Sequence, residues 1–203
     1  MRHVGITFIA AVVVAVCASA VWAAPVSYWA LDDAAGSASA VNAVGGGPVA
    51  TLVNMDTTAA WVAGHSGGAL QFDGGDDLAQ AVLNISETDN TVSMWIRTSV
   101  ASGGFFSVNK STNLGENDRN VYLSGGSVYG RVWSEETINS SASGINLADG
   151  QWHHVVHVYG PGSTDELGKH RLYVDGVELG NGSKSSSSFN WQDIIRFGWT
   201  NYP

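Results

Sequence analysis

Beyond residue 25 the apolar positions of this chain recur every second residue, in short runs broken by Gly, Ser, Asn and Asp. That period belongs to β-strands, whose side chains alternate between two faces, whereas a helix repeats near 3.6. Two segments show it most cleanly. In Thr91–Thr98, Val92, Met94 and Ile96 fall on one face while Ser93, Trp95 and Arg97 fall on the other. In Ser127–Trp133, Val128 and Val132 oppose Tyr129, Arg131 and Trp133. Strands are predicted near Val26–Leu31, Val49–Val53, Ala69–Asp73, Leu78–Val82, Thr91–Thr98 and Gly104–Asn109. Others follow near Asn120–Leu123, Ser127–Trp133, Trp152–Tyr159, His170–Val174 and Asp193–Trp199. Many short strands spaced by about 8 to 15 residues indicate an all-β sandwich or barrel. Asp175-Gly176, set between Leu172-Tyr173-Val174 and Val177-Glu178-Leu179, predicts a two-residue hairpin, and Gly125-Gly126 another. Ala34 to Gly47 and the polar stretch Ser183 to Ser188 are predicted as surface loops.

The alternation also sorts chemistry. The aliphatic faces form the core. The opposite faces carry Trp95, Arg97, Tyr129, Arg131 and Trp133, predicted to share one outward, less buried sheet surface. Flat rings stack on the C–H faces of pyranoses, and guanidinium forks bind hydroxyls or acids, so these five are the candidate ligand-binding residues for a glycan. The competing reading has the same rings covering a second, smaller core under long loops.

The N-terminus breaks the pattern. Arg2 and His3 precede Val4–Val16, an apolar run of 13 residues, and then come Ala18-Ser19-Ala20 and Val21-Trp22-Ala23. At about 1.5 Å per residue the run is too short for a hydrocarbon core of about 30 Å. A basic head, an apolar middle and a small-residue exit predict a signal peptide over residues 1–23, cut after Ala20 or Ala23. A buried N-terminal helix and lipid attachment at Cys17 are the other readings; Val16 is bulkier than lipidation sites accept. Cys17 is the single cysteine, so the mature chain would carry no disulfide into an oxidising compartment. It is expected to be secreted, extracellular or held in the periplasm or at the cell surface. A core built from about 180 residues is sufficient for stability without cross-links.

Charge narrows the partners. Asp plus Glu number 18 against 9 Lys plus Arg, without a cationic cluster, which argues against nucleic acid as a partner. No apolar run after residue 23 could span a membrane. Acidity serves solubility, and it also supplies oxygen ligands for Ca²⁺. Asp73, Asp76 and Asp77 lie in a Gly-rich turn, with Asp32 and Asp33 placed to approach from the end of the first strand. The simpler reading of that turn is Asp side chains capping backbone N–H groups. Zinc is disfavoured: His153 and His157 share a strand face but stand about 13 Å apart, too far for one ion. No Ser/His/Asp order or mature thiol suggests nucleophilic catalysis. Four Asn-x-Ser sequons, at Asn84, Asn109, Asn139 and Asn181, match the coincidence expected of a Ser- and Asn-rich chain.

Five segments carry a family resemblance: Tyr28-Trp29-Ala30-Leu31-Asp32, Gly67 through Asp77, Thr91 through Arg97, Asp149 through Val156, and Leu172 through Val177. In that order and spacing the chain resembles LamG-like jelly-roll domains of the concanavalin A-like lectin/glucanase superfamily. The resemblance implies a two-sheet antiparallel sandwich over residues 24–203. Some members bind Ca²⁺ with acidic residues near the loop after the first strand, where this chain has Asn42-Ala43-Val44-Gly45-Gly46 in place of an Asp-containing loop. The family also closes on a further strand that is not found before Pro203, so a C-terminally truncated domain is expected, with Tyr28 to Leu31 short of a neighbour. Glucanases of this architecture use a Glu-x-Asp-x-Glu or Glu-x-Asp-x-x-Glu strand. Here Glu87-Thr88-Asp89 lacks the second Glu, and Glu135-Glu136 would point to opposite faces. The implied function is a secreted, non-catalytic module for a glycan or cell-surface ligand. A structural or adhesive protein–protein module is the alternative, and a glucan-active enzyme the third.

Overall fold

The computed structural model describes residues 7–15, 24–86, 89–132, 136–162, 166–183 and 192–200. In chain order its strands are β1 (Thr7–Ala15), β2 (Pro25–Trp29), β3 (Ser39–Ala40), β4 (Ala50–Val53), β5 (Trp61–Ala63), β6 (Gly68–Phe72), β7 (Leu78–Val82) and β8 (Asn90–Thr98). They continue as β9 (Gly103–Lys110), β10 (Asn113–Ser124), β11 (Ser127–Val132), β12 (Glu136–Asn139), β13 (Trp152–Gly162), β14 (Glu166–Val174), β15 (Val177–Ser183) and β16 (Ile194–Phe197). One sheet runs β15-β14-β13-β8-β1-β6-β5, with β2 also paired to β1; the other runs β12-β11-β10-β9-β16-β7-β4-β3. Every pairing is antiparallel. This is an all-β sandwich, as the strand pattern predicts, of the jelly-roll kind that the family resemblance implies. No helix among the described residues is long and apolar enough to cross a membrane.

The core lies between the sheets and takes every second side chain from each. From the first sheet come Leu70, Phe72, Val92, Met94, Ile96, Val155 and Leu172; from the second come Phe106, Val108, Val121, Leu123, Val128, Ile195 and Phe197. Each such side chain contributes roughly 1.5–3 kcal/mol by leaving water. β8 follows the pattern residue by residue, its burial alternating along the whole strand. The two hairpin signals form as predicted. Asp175 and Gly176 have φ of 51° and 82°, and Gly125 and Gly126 have 58° and 81°, the paired positive values that a tight turn between twisted strands needs.

All eleven predicted strands form. The sequence reading missed β3, β5 and β12, which are too short to display a period, and took β15 only as the return arm of its hairpin. Its largest departure is at the N-terminus. Thr7–Ala15, read as part of a leader, forms β1 in this structure and pairs with β8 on one side and with β2 and β6 on the other. The expected exposure of Tyr28 to Leu31 concerned a chain without residues 1–23; with Thr7–Ala15 present, β1 supplies their neighbour. Val12 and Val13 pair with Trp29 and Tyr28, and Trp29 and Leu31 are buried.

Candidate functional site

Each sheet presents an outward face, and the two differ. On the first sheet, the register sets Arg97 beside Trp152, Trp95 beside His154, and Ser93 beside Val156, with Tyr173 next along and then Glu178. Trp95 and Trp152 are half-buried. His65 stacks on Trp95 at 3.6 Å with planes 7° apart, and the Arg97 guanidinium lies 4.9 Å from the Trp152 ring centre. Ser93 Oγ and His154 Nε2 are 2.7 Å apart. Tyr173 donates to Glu178 at 3.1 Å, and Asn181 donates to the other oxygen of Glu178 at 3.0 Å. Burial lowers the His154 pKa, against an opposing pull from Asp175 and with a smaller push from His65. Its neighbour His153 turns the other way and meets Asp175 at 2.8 Å and Asp149 at 3.1 Å. Burial depresses the His153 pKa, but the two carboxylates outweigh it and the net direction is upward.

On the second sheet the outward face is polar yet covered. Tyr122 and Tyr129 stack at 5.1 Å with planes 10° apart. Asn120 donates to Asn117 at 2.8 Å and accepts from Thr200 at 2.9 Å, while Ser107 donates to Asn109 at 2.7 Å. Arg196 is only 4% exposed. Its Nε donates to Gln80 Oε1 at 3.4 Å, and Trp199 lies 5.0 Å from its guanidinium carbon. Its Nη1 is buried and has no hydrogen-bond partner among the described residues. Burial pushes the Arg196 pKa below its usual value, as expected for a cation removed from water. Beside Gln80 the face sinks into a depression of about 310 Å³ lined by Pro48, Val49, Thr51, Gln80, Val82 and Ile194.

The predicted ligand residues are therefore divided. Trp95 and Arg97 stand on β8 in the first sheet, while Tyr129 and Arg131 stand on β11 in the second, and the two outward faces look away from each other. Trp133 lies outside the described residues. The expectation of one shared surface is corrected. Alternation identifies the face of a strand but not the sheet to which the strand belongs. Trp152, His65 and Arg196 were not among the candidates. Trp152 was recoverable from its place in a predicted strand; His65 and Arg196 take their positions from long-range pairing.

The acidic turn assembles in part. Carboxylate oxygens of Asp73, Asp76 and Asp77 lie within 4.8 Å of one another. Burial raises the Asp77 pKa, and Asp73 and Asp76 add to the rise against a hydrogen bond from the Asp73 N–H. Two of the oxygens already cap the turn: Asp77 Oδ2 accepts from the Asp73 N–H at 3.0 Å, and Asp73 Oδ1 from the Gly75 N–H at 2.7 Å. Asp32 and Asp33 do not join them. Asp32 Oδ1 accepts from the Gly68 N–H, and Asp33 binds the Val41 N–H at 3.2 Å. The Asp32 contact is possible because residue 68 is glycine; a Cβ there would sit 2.1 Å from the Leu31 carbonyl oxygen. Asn109, one of the sequon residues, is fully buried and inaccessible to a modifying enzyme in the folded state.

Between the sheets, at one end of the core, lies a polar cluster. His157 Nε2 and His170 Nδ1 are 3.1 Å apart, and Arg119 pairs with Asp118 at 2.8 Å and lies 5.3 Å from the Tyr159 ring centre. Burial, with His170 and Arg119 as like-signed neighbours, pushes the His157 pKa down to about 3. Gly130 on β11 makes room for this ring, since a Cβ there would come within 2.8 Å of it.

Residues 72–202 match the family model described as concanavalin A-like lectin/glucanases superfamily, of the laminin G type. Among solved structures, the chain is similar to the mouse laminin alpha1 chain, domains LG4-5, at 17% identity and a TM-score of 0.45. That likeness covers 60% of this chain and 31% of the other. No curated protein matches the chain.

Proposed function

We propose that this chain, which belongs to the concanavalin A-like lectin/glucanase superfamily through residues 72–202, is a non-catalytic module that binds a glycan outside the cell. The supporting observation is the outward face of the first sheet. Two half-buried indole rings, Trp95 and Trp152, stand there on adjacent strands, with His65 stacked on Trp95, Arg97 beside Trp152 and the Ser93–His154 pair alongside. Rings with aligned hydrogen-bonding groups suit a sugar, which has apolar C–H faces and hydroxyl edges. The carboxylate that the register places on this face is Glu178, held by Tyr173 and Asn181. That arrangement favours binding over acid–base chemistry. Family membership alone does not fix function, so the reading rests on the face.

Binding to immobilised neutral glycans tests it. Trp152→Ala should weaken the affinity by roughly 1–3 kcal/mol, the scale of ring stacking and burial, with the fold intact. Capture of a defined protein with no glycan binding at all would instead support the adhesive reading. Export follows from the leader-like residues 1–23, and N-terminal sequencing of secreted material should begin near Val21 or Ala24. A mature protein that keeps Met1 would leave β1 as a permanent strand. Calcium at the Asp73, Asp76 and Asp77 turn is the implied cofactor. These residues fit a hard cation by their clustered oxygens, and the ion would supply local charge neutralisation there.

A further inference from the structure

We propose that the outward face of the second sheet holds a separate binding site for a carboxylate-bearing saccharide, with Arg196 as its anion receptor. A buried cation without a counter-charge is costly, and proteins pair such groups or leave them in water. Arg196 is 4% exposed, and among the described residues no carboxylate pairs with it. Its described contacts are neutral: the Gln80 amide on one edge and the Trp199 ring over the plane. One arm, Nη1, is left for a partner. A guanidinium presents a planar fork that matches a carboxylate in two parallel hydrogen bonds.

The surroundings specify the rest of the ligand. Gln80, which accepts from Arg196 Nε, also lines the depression, so one amide side chain links the guanidinium to it. The depression is walled by Val49, 48% exposed, and Val82, 76% exposed, together with Pro48 and Ile194. Exposed aliphatic walls beside a buried guanidinium suit a compact ring that has one apolar face and one acid, as a uronic acid does. Ile194 and Arg196 sit two residues apart on one side of β16, so ring and carboxylate would span about 6.6 Å along the strand. Trp199 is half-buried, with its ring centre 5.0 Å from the guanidinium carbon. The protein's formal charge of −9 repels polyanions in general, so binding of one would report this local receptor.

This site does not depend on the aromatic face of the first sheet, and the experiment separates the two. The full chain is titrated with polygalacturonate, neutral dextran and dextran sulfate. Polygalacturonate should bind, dextran sulfate should bind at least tenfold more weakly, and Arg196→Gln should weaken polygalacturonate at least tenfold. Since Arg196→Gln removes an uncompensated buried charge, its Tm should equal or exceed that of the parent. Val82→Glu, at an exposed position, should also weaken polygalacturonate at least tenfold by placing a fixed carboxylate at the mouth. Neutral glycan binding through Trp152 should be unchanged in both variants. Polygalacturonate affinity indifferent to Arg196→Gln would overturn the proposal, as would equal binding of dextran sulfate. So would a Tm drop of several degrees in Arg196→Gln, which would make the guanidinium a structural group. Neutral binding without polygalacturonate binding would sink this site alone, and the absence of any glycan binding would sink both.

Discussion

The two outward faces of this sandwich are built from the same alternation and end in different states. On the first, aromatic rings are half-exposed and the described polar side chains are paired: Ser93 with His154, and Glu178 with Tyr173 and Asn181. On the second, polar side chains are buried, and one arm of Arg196 lacks a described partner. The difference is one of readiness. A paired, half-exposed surface gains from a ligand mainly by stacking and burial. A desolvated, unpaired group has already been removed from water, so a ligand that satisfies it recovers a hydrogen bond without repeating that cost. Specificity for charge therefore belongs on the second face, and tolerance for ring shape on the first.

The largest expected effect couples both faces through the core. His157 comes from β13 in the first sheet, and it meets Gly130 of β11 in the second. In the folded protein its pKa is pushed down to about 3, from the ordinary 6.5. A depressed histidine binds fewer protons folded than unfolded between those values. Its contribution is thus intact above pH 6.5 and is lost as the pH falls towards 3, with a ceiling of roughly 4–5 kcal/mol. Urea melts from pH 7 to pH 4 should show this decline, and His157→Gln should flatten it. A stability profile flat across that range would remove the buried neutral histidine from the account.

The next effect separates the faces. β1 lies between β8 and β6 in the first sheet, while the second sheet has no contact with it in its hydrogen-bond ladder. Val13 pairs with Tyr28 on one side and Ser93 on the other. Proline there removes a ladder donor from a central strand, at a cost on the order of 2–4 kcal/mol. In protein that keeps residues 1–23, Val13→Pro should lower the unfolding free energy by that amount and weaken neutral glycan binding on the first sheet. Polygalacturonate binding should persist wherever the protein stays folded. Unchanged stability would mean that β8 and β6 close without β1.

Trp152→Ala gives a smaller and more local effect, the binding loss of roughly 1–3 kcal/mol set out above, with little change in Tm. Its contrast with Met94→Asp sharpens the division between face and core on neighbouring strands. Met94 is fully inside, and an unpaired carboxylate there should unfold much of the population.

Much of this was legible beforehand, and the reason is local. The strands at Thr91–Thr98 and Ser127–Val132, their inward and outward faces, and both hairpin turns depend on period-two alternation and on residues that accept positive φ. The assignment of strands to sheets was not legible, because it depends on pairing partners far along the chain. Trp95 and Tyr129 look alike in sequence and face away from each other in space. Arg196 was unremarkable in the sequence because its burial comes from Trp199, Gln80 and the sheet around it rather than from its neighbours in the chain. Thr7–Ala15 shows the converse. An apolar, β-branched run satisfies a leader and a central strand equally well.

The smallest effect concerns the acidic turn, which lies at the exit of β6. Asp73, Asp76 and Asp77 bring oxygens within 4.8 Å, while two of those oxygens already cap backbone N–H groups. Capping alone would leave the carboxylates repelling one another, and the raised Asp77 pKa is in part that repulsion. A hard divalent cation relieves it and needs only the remaining lone pairs and water. For a site with a Kd of about 1 mM, 10 mM calcium stabilises the fold by about 1.4 kcal/mol through mass action, a shift of a few degrees in Tm. Magnesium should do less, since it gives up its water reluctantly. Because burial and the neighbouring Asp73 and Asp76 raise the Asp77 pKa, the calcium shift should shrink as the pH falls and Asp77 takes up its proton. Asp76→Asn should abolish the shift, since the Asp76 carboxylate caps no described backbone N–H, and it should leave the calcium-free Tm near the parent value. Equal melts with calcium and with EDTA would leave the turn as a capped loop and nothing more.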